Sequence, residues 1–358
     1  MKRVMKPPYW VALAALVALI VIPSVYLSLD NDRTTVRVLC AGSLIVPFTE
    51  MEAEFEKLHP DIDVFIDGHG SIQVIRYVTE LYQEADVMAV ADYSLIPMLM
   101  YQTQMPDSEE SYADWCVRFT TNTLGIAYST SSRYADEITA DNWYEILARP
   151  DVTFGLSDAR FDACGYRAMM VCQLAEPHYS DPDIFDTLLG NAFTWPITVI
   201  EYDGTYTIMV PEILEPASQE VALRGASIWL LFLIESGDVD YSFQYQSVAE
   251  QHGLEFLELP DEINLGSANY TEFYGKVRLK LAFRRFQSVE PEFVGQPIAY
   301  GITIPNNAPH PDIAEQFVEF VLSAPGQAIL LEQCQPPVVP ATVDNPQALP
   351  DGLAPLFE

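Results

Sequence analysis

Apolar positions along the chain alternate between two spacings from residue 36 onward. Short apolar runs at residues 36–39, 63–66 and 87–91 have the length of buried strands, and a stretch with helical periodicity follows each of them. The apolar residues that share a helical face are Phe48, Met51, Phe55 and Leu58 after the first run, and Val74, Val78 and Leu81 after the second. Strand, turn and helix thus recur three times, which predicts an α/β architecture with parallel strands.

A second α/β unit is predicted to begin near residue 122. Its predicted strands cover residues 122–128, 152–156, 240–245, 254–259 and 298–304, and its predicted helices cover residues 143–148, 164–174 and 223–234. Residues 205–218 combine prolines with β-branched side chains, which predicts a hairpin or a loop insertion. The last twenty residues contain four prolines and are predicted to cross the surface in extended form.

The N-terminal segment has a different pattern. Lys2, Arg3 and Lys6 precede an uncharged apolar stretch that lasts until Asp30. Its length suits a membrane-spanning helix, and a cleaved secretory signal is the alternative. Because the basic residues come first, both interpretations place the rest of the chain outside the cytoplasm. We therefore expect a protein at the extracellular face of the membrane, either anchored by residues 1–34 or secreted.

Composition narrows the classes of partner. The chain has 358 residues, which allows two domains, and its formal net charge is −33. This acidic excess opposes binding to nucleic acid, whose phosphates are held by clustered lysine and arginine. Five cysteines without a C-x-x-C pair, and five scattered histidines, indicate neither a disulfide framework nor a zinc or histidine metal site.

Small residues follow the predicted strands where helices begin. Gly42 and Ser43 follow the first strand, and Gly70 and Ser71 follow the second. The carboxyl ends of parallel strands share one edge of a sheet, so backbone N–H groups and serine hydroxyls at these turns can surround an anion. Ordinary helix capping by serine is the alternative explanation.

Two other kinds of site fit less well. The glycines of the second turn do not complete G-x-G-x-x-G, and a Walker lysine is missing, which argues against a nucleotide. Ser71 does not lie in G-x-S-x-G, which argues against a serine hydrolase.

Several sequence blocks in a fixed order resemble the archaeal tungstate/molybdate-binding proteins of ABC importers. The blocks are Ala41-Gly42-Ser43-Leu44, Gly70-Ser71, Ala91-Asp92-Tyr93, Asn142-Trp143-Tyr144-Glu145-Ile146-Leu147, Asp162-Ala163-Cys164-Gly165-Tyr166-Arg167, Tyr245 with Ser247-Val248-Ala249, and Tyr300-Gly301-Ile302-Thr303-Ile304-Pro305. The small-residue turns are common, whereas the Asn-Trp-Tyr-Glu-Ile-Leu and Cys-Gly-Tyr-Arg blocks are specific. The resemblance extends from about residue 36 to residue 340.

The resemblance implies a two-lobed type II periplasmic-binding-protein-like fold, preceded by the N-terminal hydrophobic helix. Residues 122–128 and 298–304 would form its two crossover strands. Lobe I would then comprise residues 35–121 and 298–358, and lobe II residues 122–297. The implied function is capture of tungstate or molybdate for an ABC permease, without catalysis and without a cofactor.

In that family two carboxylates coordinate the metal centre of the oxyanion. Asp162 matches the first, and its alternative role is to cap the following helix. The second carboxylate lies 18 residues before the tyrosine that matches Tyr245, a position that Ser227 occupies here. Glu220 is out of register with it. This departure predicts tetrahedral or five-coordinate binding instead of six ligands.

The other residues implied for the oxyanion are Ser43, Ser71, Tyr245, Ser227 and the backbone at Gly42 and Gly70. A carboxylate next to a dianion is repelled unless it bonds the metal or accepts a proton. Sulfate offers neither, whereas hydrogen phosphate offers a proton, so a receptor for phosphate or another oxyanion is one alternative. A membrane-anchored extracellular hydrolase is the other. Arg167 could face either the anion or an acidic neighbour, and Asp92 is expected to cap its helix.

Overall fold

The computed structural model describes residues 33–282 and 291–357. Its strands are β1 Thr34–Ala41, β2 Ile62–His69, β3 Val87–Val90, β4 Val117–Thr121, β5 Leu124–Tyr128, β6 Phe154–Ser157, β7 Thr198–Tyr202, β8 Thr205–Val210, β9 Val221–Arg224, β10 Tyr241–Tyr245, β11 Glu255–Leu257, β12 Val277–Leu281, β13 Glu292–Val294, β14 Ala299–Thr303 and β15 Pro337–Val343. Its α-helices are α1 Ile45–Leu58, α2 Ser71–Thr79, α3 Trp143–Leu147, α4 Ala163–Tyr179, α5 Ile228–Ser236, α6 Gln246–Gln251, α7 Thr271–Tyr274, α8 Pro311–Leu322 and α9 Ala324–Glu332. Short 3₁₀ turns cover Gly42–Leu44, Ala268–Tyr270, Pro346–Ala348 and Ala354–Phe357, and π-helical turns cover Ile96–Met100 and Asp186–Gly190.

The first lobe is built on a six-stranded sheet with the order β15-β4-β14-β3-β1-β2. Strand β1 pairs in parallel with β2 and β3, as the repeated strand, turn and helix pattern predicts. Strands β14, β4 and β15 complete the sheet in antiparallel pairs. The aromatic rings of Phe48 and Phe55 on α1 contact Phe317 on α8, which fixes these helices together on the sheet.

The second lobe is built on a five-stranded sheet with the order β11-β5-β10-β6-β9. Strands β10, β6 and β9 run in parallel, whereas β5 and β11 are antiparallel to their neighbours. Helix α4 begins directly after Asp162, and its residues 163–175 are all buried. The core of this lobe therefore forms around α4.

A third sheet of four strands, in the order β13-β12-β8-β7, extends from the second lobe. A hairpin or a loop insertion was predicted for residues 205–218, but only β8 of the hairpin formed by β7 and β8 lies in that range. The other strand, β7, precedes it, and residues 211–218 form no strand. Strand β12 then pairs in parallel with β8. Most residues of β7 are exposed, so the sequence carries little apolar signal for this sheet.

The chain passes between the lobes at two adjacent places. Strand β4 belongs to the first sheet and β5 to the second, with only Asn122 and Thr123 between them. Next to this crossing, the Leu124 amide donates to the Asn264 carbonyl and the Ile298 amide donates to the Leu265 carbonyl. Two neighbouring backbone crossings of this kind suit a hinge between the lobes.

Several predicted elements need correction. Residues 221–224 form strand β9, and the helix predicted from residue 223 begins at Ile228, because a short apolar run does not distinguish strand from helix. Leu58 and Leu81 are exposed, since α1 ends at Leu58 and α2 ends at Thr79. The C-terminal segment is not only a surface strap, because β15 joins the first sheet.

The predicted signal or anchor falls almost entirely on residues 1–32, which lie outside the described part of the chain. Within residues 33–282 and 291–357, no helix combines the length and apolar character that crossing a membrane requires.

Candidate functional site

The two serine-containing turns lie side by side. Ala41 at the end of β1 is paired with His69 at the end of β2, so the turns that follow emerge at the same edge of the sheet. Ser43 and Ser71 are both buried there. Ser43 Oγ lies 2.8 Å from Tyr300 Oη, and Ser71 Oγ accepts a hydrogen bond from the Ala91 amide at 3.0 Å. The structure thus brings together the two turns that the sequence singled out.

Asp162 approaches these turns from the second lobe. It precedes α4 and is 5% exposed. A Cβ atom built on Gly70 would lie 3.1 Å from Asp162 Cβ, which places the carboxylate residue against the Gly70-Ser71 turn. Asp162 and Ser227 are neighbours, because the Ser227 amide donates to Asp162 Oδ2 at 2.8 Å. The two positions that carry carboxylates in the resembling family are therefore adjacent in this structure.

The Asp162 carboxyl lies in an environment that disfavours its charged form. Burial raises the pKa of Asp162 above its usual range, because the charged form loses its hydration. The donated hydrogen bond from the Ser227 amide opposes this rise, as does the nearby Ser157 hydroxyl. The carboxylate is thus held in a poorly hydrated place, where an added ligand or proton relieves the cost of its charge.

The lobes touch at the start of α2. The Ile72 and Gln73 amides both donate to the Phe161 carbonyl of the second lobe, at 3.0 and 3.1 Å. This carbonyl occupies two amides that directly follow the Gly70-Ser71 turn, so these first amides of α2 face protein and not an anion. Nearby, a Cβ built on Gly42 would lie 3.2 Å from Ile228 Cγ2. The structure therefore shows the lobes in contact around the site.

Tyr245 at the end of β10 is buried beside the same cleft. Its ring lies 6.0 Å from the Tyr300 ring, and its hydroxyl accepts a hydrogen bond from Arg167 Nη1 at 2.8 Å. Burial raises the pKa of Tyr245 well above its usual range, while the Arg167 charge lowers it. Tyr245 therefore stays protonated and can donate a hydrogen bond to an oxo group.

Arg167 faces an acidic neighbour, which was one of its two predicted orientations. Its Nη2 lies 3.2 Å from Asp92 Oδ2. Asp92 Oδ1 accepts from the Ser94 amide and hydroxyl, as expected of a capping residue, while its Oδ2 accepts from the Tyr166 hydroxyl at 2.7 Å. The guanidinium charge is thus balanced within the protein.

Sequence reasoning missed two polar residues of this region. Ser157, at the end of β6, is fully buried, and its hydroxyl makes no hydrogen bond of good geometry with the described residues. Asn122, at the crossing between the lobes, donates through Nδ2 to Ser247 Oγ at 2.8 Å and to Tyr300 Oη at 3.2 Å. The signal available for Ser157 was its place at the carboxyl end of a strand, the same signal that singled out Ser43.

All five cysteines are free thiols in the structure. Cys40, Cys116, Cys164 and Cys172 are buried free thiols, and Cys334 is exposed. Cys334 lines a cavity of about 380 Å³ at the hinge, opposite Gln246 and Glu250 of the second lobe. Among the described residues, no group of three or more His, Cys, Asp or Glu side chains could hold a metal ion.

Comparison with known proteins identifies the family of the chain. A family model of bacterial extracellular solute-binding proteins matches residues 36–333. A solute-binding protein of Methanoculleus marisnigri is 43% identical over 327 residues, which covers 91% of this chain and 88% of the relative. The molybdate/tungstate-binding protein WtpA of Pyrococcus abyssi is 41% identical over 309 residues, covering 83% of this chain and 84% of the relative.

Among solved structures, the sulfate-binding protein SubI of Mycobacterium tuberculosis is similar with a TM-score of 0.52 and 14% identity, covering 91% of this chain and 92% of that one. At this identity the similarity shows the fold alone, which is the two-lobed type II periplasmic-binding-protein fold. The matched family consists of binding receptors that act without catalysis or a cofactor, which removes the hydrolase alternative. The chain belongs to the extracellular solute-binding proteins, the extracytoplasmic receptors of ABC transporters.

Proposed function

We propose that this receptor captures tungstate or molybdate between its lobes and delivers it to an ABC permease. The observation that carries the proposal is a single buried carboxylate, Asp162, held against the Gly70-Ser71 turn of the opposite lobe. The 41% identity with WtpA of Pyrococcus abyssi supports the same ligand class.

The charge of Asp162 selects among oxyanions. At an effective dielectric constant of about 20, two like unit charges 4 Å apart repel by roughly 4 kcal/mol, and a dianion doubles this. Arg167 does not offset the repulsion, because Asp92 already balances its charge. Bonding between Asp162 and the metal centre does offset it, and tungsten and molybdenum accept an additional oxygen ligand. Sulfur in sulfate does not accept an additional oxygen ligand.

Ser227 sets the coordination number. Its amide donates to Asp162 Oδ2, and it brings no second carboxylate to the ligand. We therefore propose that the oxyanion keeps its four oxygens and gains at most Asp162 as a fifth ligand. Hydroxyl groups of Ser43, Ser71 and Tyr245, together with the backbone at Gly42 and Gly70, would hydrogen-bond the oxo groups.

The lobes are proposed to move as two units. One comprises residues 35–121 and 298–358, and the other comprises residues 122–297. The sheet to which each strand belongs supports this division, as do the adjacent crossings at Asn122 and Ile298. Residues 1–34 would tether the receptor to the membrane beside its permease.

Titration calorimetry tests the proposal. Tungstate, molybdate, sulfate and phosphate are titrated separately into the wild-type chain, the Asp162→Ala variant and the Asp136→Asn variant. Asp136 is an exposed aspartate and serves as the matched control. We expect tungstate or molybdate to bind the wild type and the control equally, and to bind Asp162→Ala much more weakly.

Unchanged tungstate and molybdate affinity in Asp162→Ala would disprove coordination by this carboxylate. Phosphate is the second candidate, because Asp162 is a buried carboxylate against the Gly70-Ser71 turn and hydrogen phosphate offers it a proton to accept. A wild-type response to phosphate alone would replace the proposed ligand with phosphate.

A further inference from the structure

We propose that Arg167 is a positioning residue, which joins the two lobes and orients the Tyr245 hydroxyl toward the bound oxyanion. This inference rests on the proposed function, because it assumes that Tyr245 donates to the ligand. Arg167 itself would not touch the ligand.

The guanidinium of Arg167 spans the lobe interface. Its Nη1 donates to the Ala91 carbonyl at 2.6 Å and to Tyr245 Oη at 2.8 Å. Ala91 follows β3 of the first lobe, whereas Arg167 and Tyr245 belong to the second lobe. One nitrogen therefore connects a backbone group of one lobe to a candidate ligand residue of the other.

The charge of Arg167 faces Asp92 within the protein, although its Nη2 makes no hydrogen bond of good geometry with the described residues. Asp92 Oδ2 lies 3.2 Å from Nη2, and the Tyr166 hydroxyl donates to the same carboxylate oxygen. Gln296 Nε2 donates to the other oxygen at 3.3 Å. Because both Arg167 and Asp92 are buried, this ion pair is poorly screened and keeps the guanidinium in one geometry.

The bond from Arg167 fixes the direction of the Tyr245 proton. A hydroxyl that accepts a hydrogen bond from Arg167 keeps its own proton for another acceptor. None of the described residues accepts a hydrogen bond from Tyr245, although this side chain is only 1% exposed. An oxo group in the cleft would complete its hydrogen bonding.

Lobe opening would separate these groups. Arg167 would lose Ala91 and Asp92 together, and Tyr245 would then be oriented by a freely moving guanidinium. Closure would restore both contacts at once, so Arg167 links the closed arrangement of the lobes to a correctly oriented ligand donor.

A double-mutant cycle tests this role. Tungstate is titrated into the wild type, Arg167→Lys, Tyr245→Phe and the double variant, with thermal unfolding of each to verify folding. We expect each single variant to weaken tungstate binding by about tenfold, as expected for a hydrogen bond with a charged group. The loss in the double variant should be smaller than the product of the two single losses, because part of the Arg167 effect passes through the Tyr245 hydroxyl.

Additive losses in the double variant would overturn the proposal, as would wild-type affinity in Arg167→Lys. Arg133→Lys is the matched control, because Arg133 pairs with the buried Asp240 at 2.7 Å within the second lobe. It should leave the tungstate affinity unchanged.

A second measurement separates this proposal from the proposed function. Small-angle X-ray scattering of the ligand-free chain should give a larger radius of gyration for Arg167→Lys than for the wild type. Tyr245→Phe should match the wild type, since it leaves the Ala91 and Asp92 contacts intact. If the wild type binds no tungstate, the proposed ligand is wrong. An unchanged radius of gyration in Arg167→Lys overturns the positioning role, whether or not tungstate binds.

Discussion

Replacing Gly70 with alanine should hold the lobes apart while leaving each lobe intact. Gly70 has φ −66° and ψ 142°, a backbone conformation that alanine adopts freely. The obstacle comes from the opposite lobe, because the added Cβ would lie 2.5 Å from the Phe161 carbonyl oxygen. The substitution therefore penalises only the closed arrangement.

The size of the effect follows from the contacts that must lengthen. Carbon and oxygen normally approach to about 3.3–3.6 Å, so relief requires a displacement of roughly 1 Å. The Ile72 and Gln73 amides lie 3.0 and 3.1 Å from the same carbonyl oxygen, and that displacement breaks both hydrogen bonds. At about 0.5–1.5 kcal/mol each, the closed state loses roughly 1–3 kcal/mol. Ligand affinity should fall by about 5- to 150-fold.

Calorimetric titration with tungstate measures this loss, and X-ray scattering measures the accompanying lobe separation. Gly225→Ala is the control, since a Cβ there meets no atom within 4 Å. Both variants should unfold at the wild-type temperature without ligand. Wild-type affinity in Gly70→Ala, together with a closed radius of gyration, would refute the steric argument.

Three further predictions concern the carboxylate, the altered ligand position and the core. Burial raises the pKa of Asp162 in the folded state. Between the unfolded and folded pKa values of Asp162, the folded state therefore binds more protons than the unfolded state, and the stability of the folded state falls as the pH rises. Asp162→Asn should therefore raise the melting temperature at pH 7 relative to wild type, with the gain vanishing below the usual Asp range; an equal gain at every pH would contradict this. Ser227→Glu should destabilise the ligand-free chain, because it places a second buried carboxylate next to Asp162. The same substitution should tighten tungstate binding relative to sulfate binding. Looser tungstate binding would count against a coordinating role for this position. Phe317→Ala should lower the free energy of unfolding in urea by about 3–5 kcal/mol, because its fully buried ring packs against Phe48 and Phe55; a loss below about 1 kcal/mol would show that the core relaxes around the cavity.

The sequence predicts the first lobe better than the second. Its strands β1 and β3 are largely buried, and helices with clear apolar faces follow β1 and β2, so period and burial agree there. In the second lobe, β9 and α5 form one apolar stretch in which neither period dominates. The exposed strand β7 lacks the alternation that a half-buried strand would show, and its sheet was missed beyond one hairpin.

The residues of the candidate site also differ in how well the sequence predicts them. The serine turns could be predicted because parallel strands end at one edge, a rule that needs only the strand order. The contacts of Arg167 with Ala91 and Asp92 join residues more than seventy positions apart across two lobes, and no sequence period encodes them. The role of the Phe161 carbonyl could not be predicted for the same reason, because it depends on how the lobes meet.

The hinge cavity at Cys334 gives this receptor a built-in position for a reporter dye. The other four thiols are buried, and burial raises the pKa of each, so a maleimide should label Cys334 selectively in the folded chain. A hydrogen bond to Glu250 raises the pKa of Cys334, which favours labelling in mildly alkaline buffer. Because the cavity walls come from both lobes, the emission of an attached fluorophore should follow their relative rotation during uptake and release of cargo.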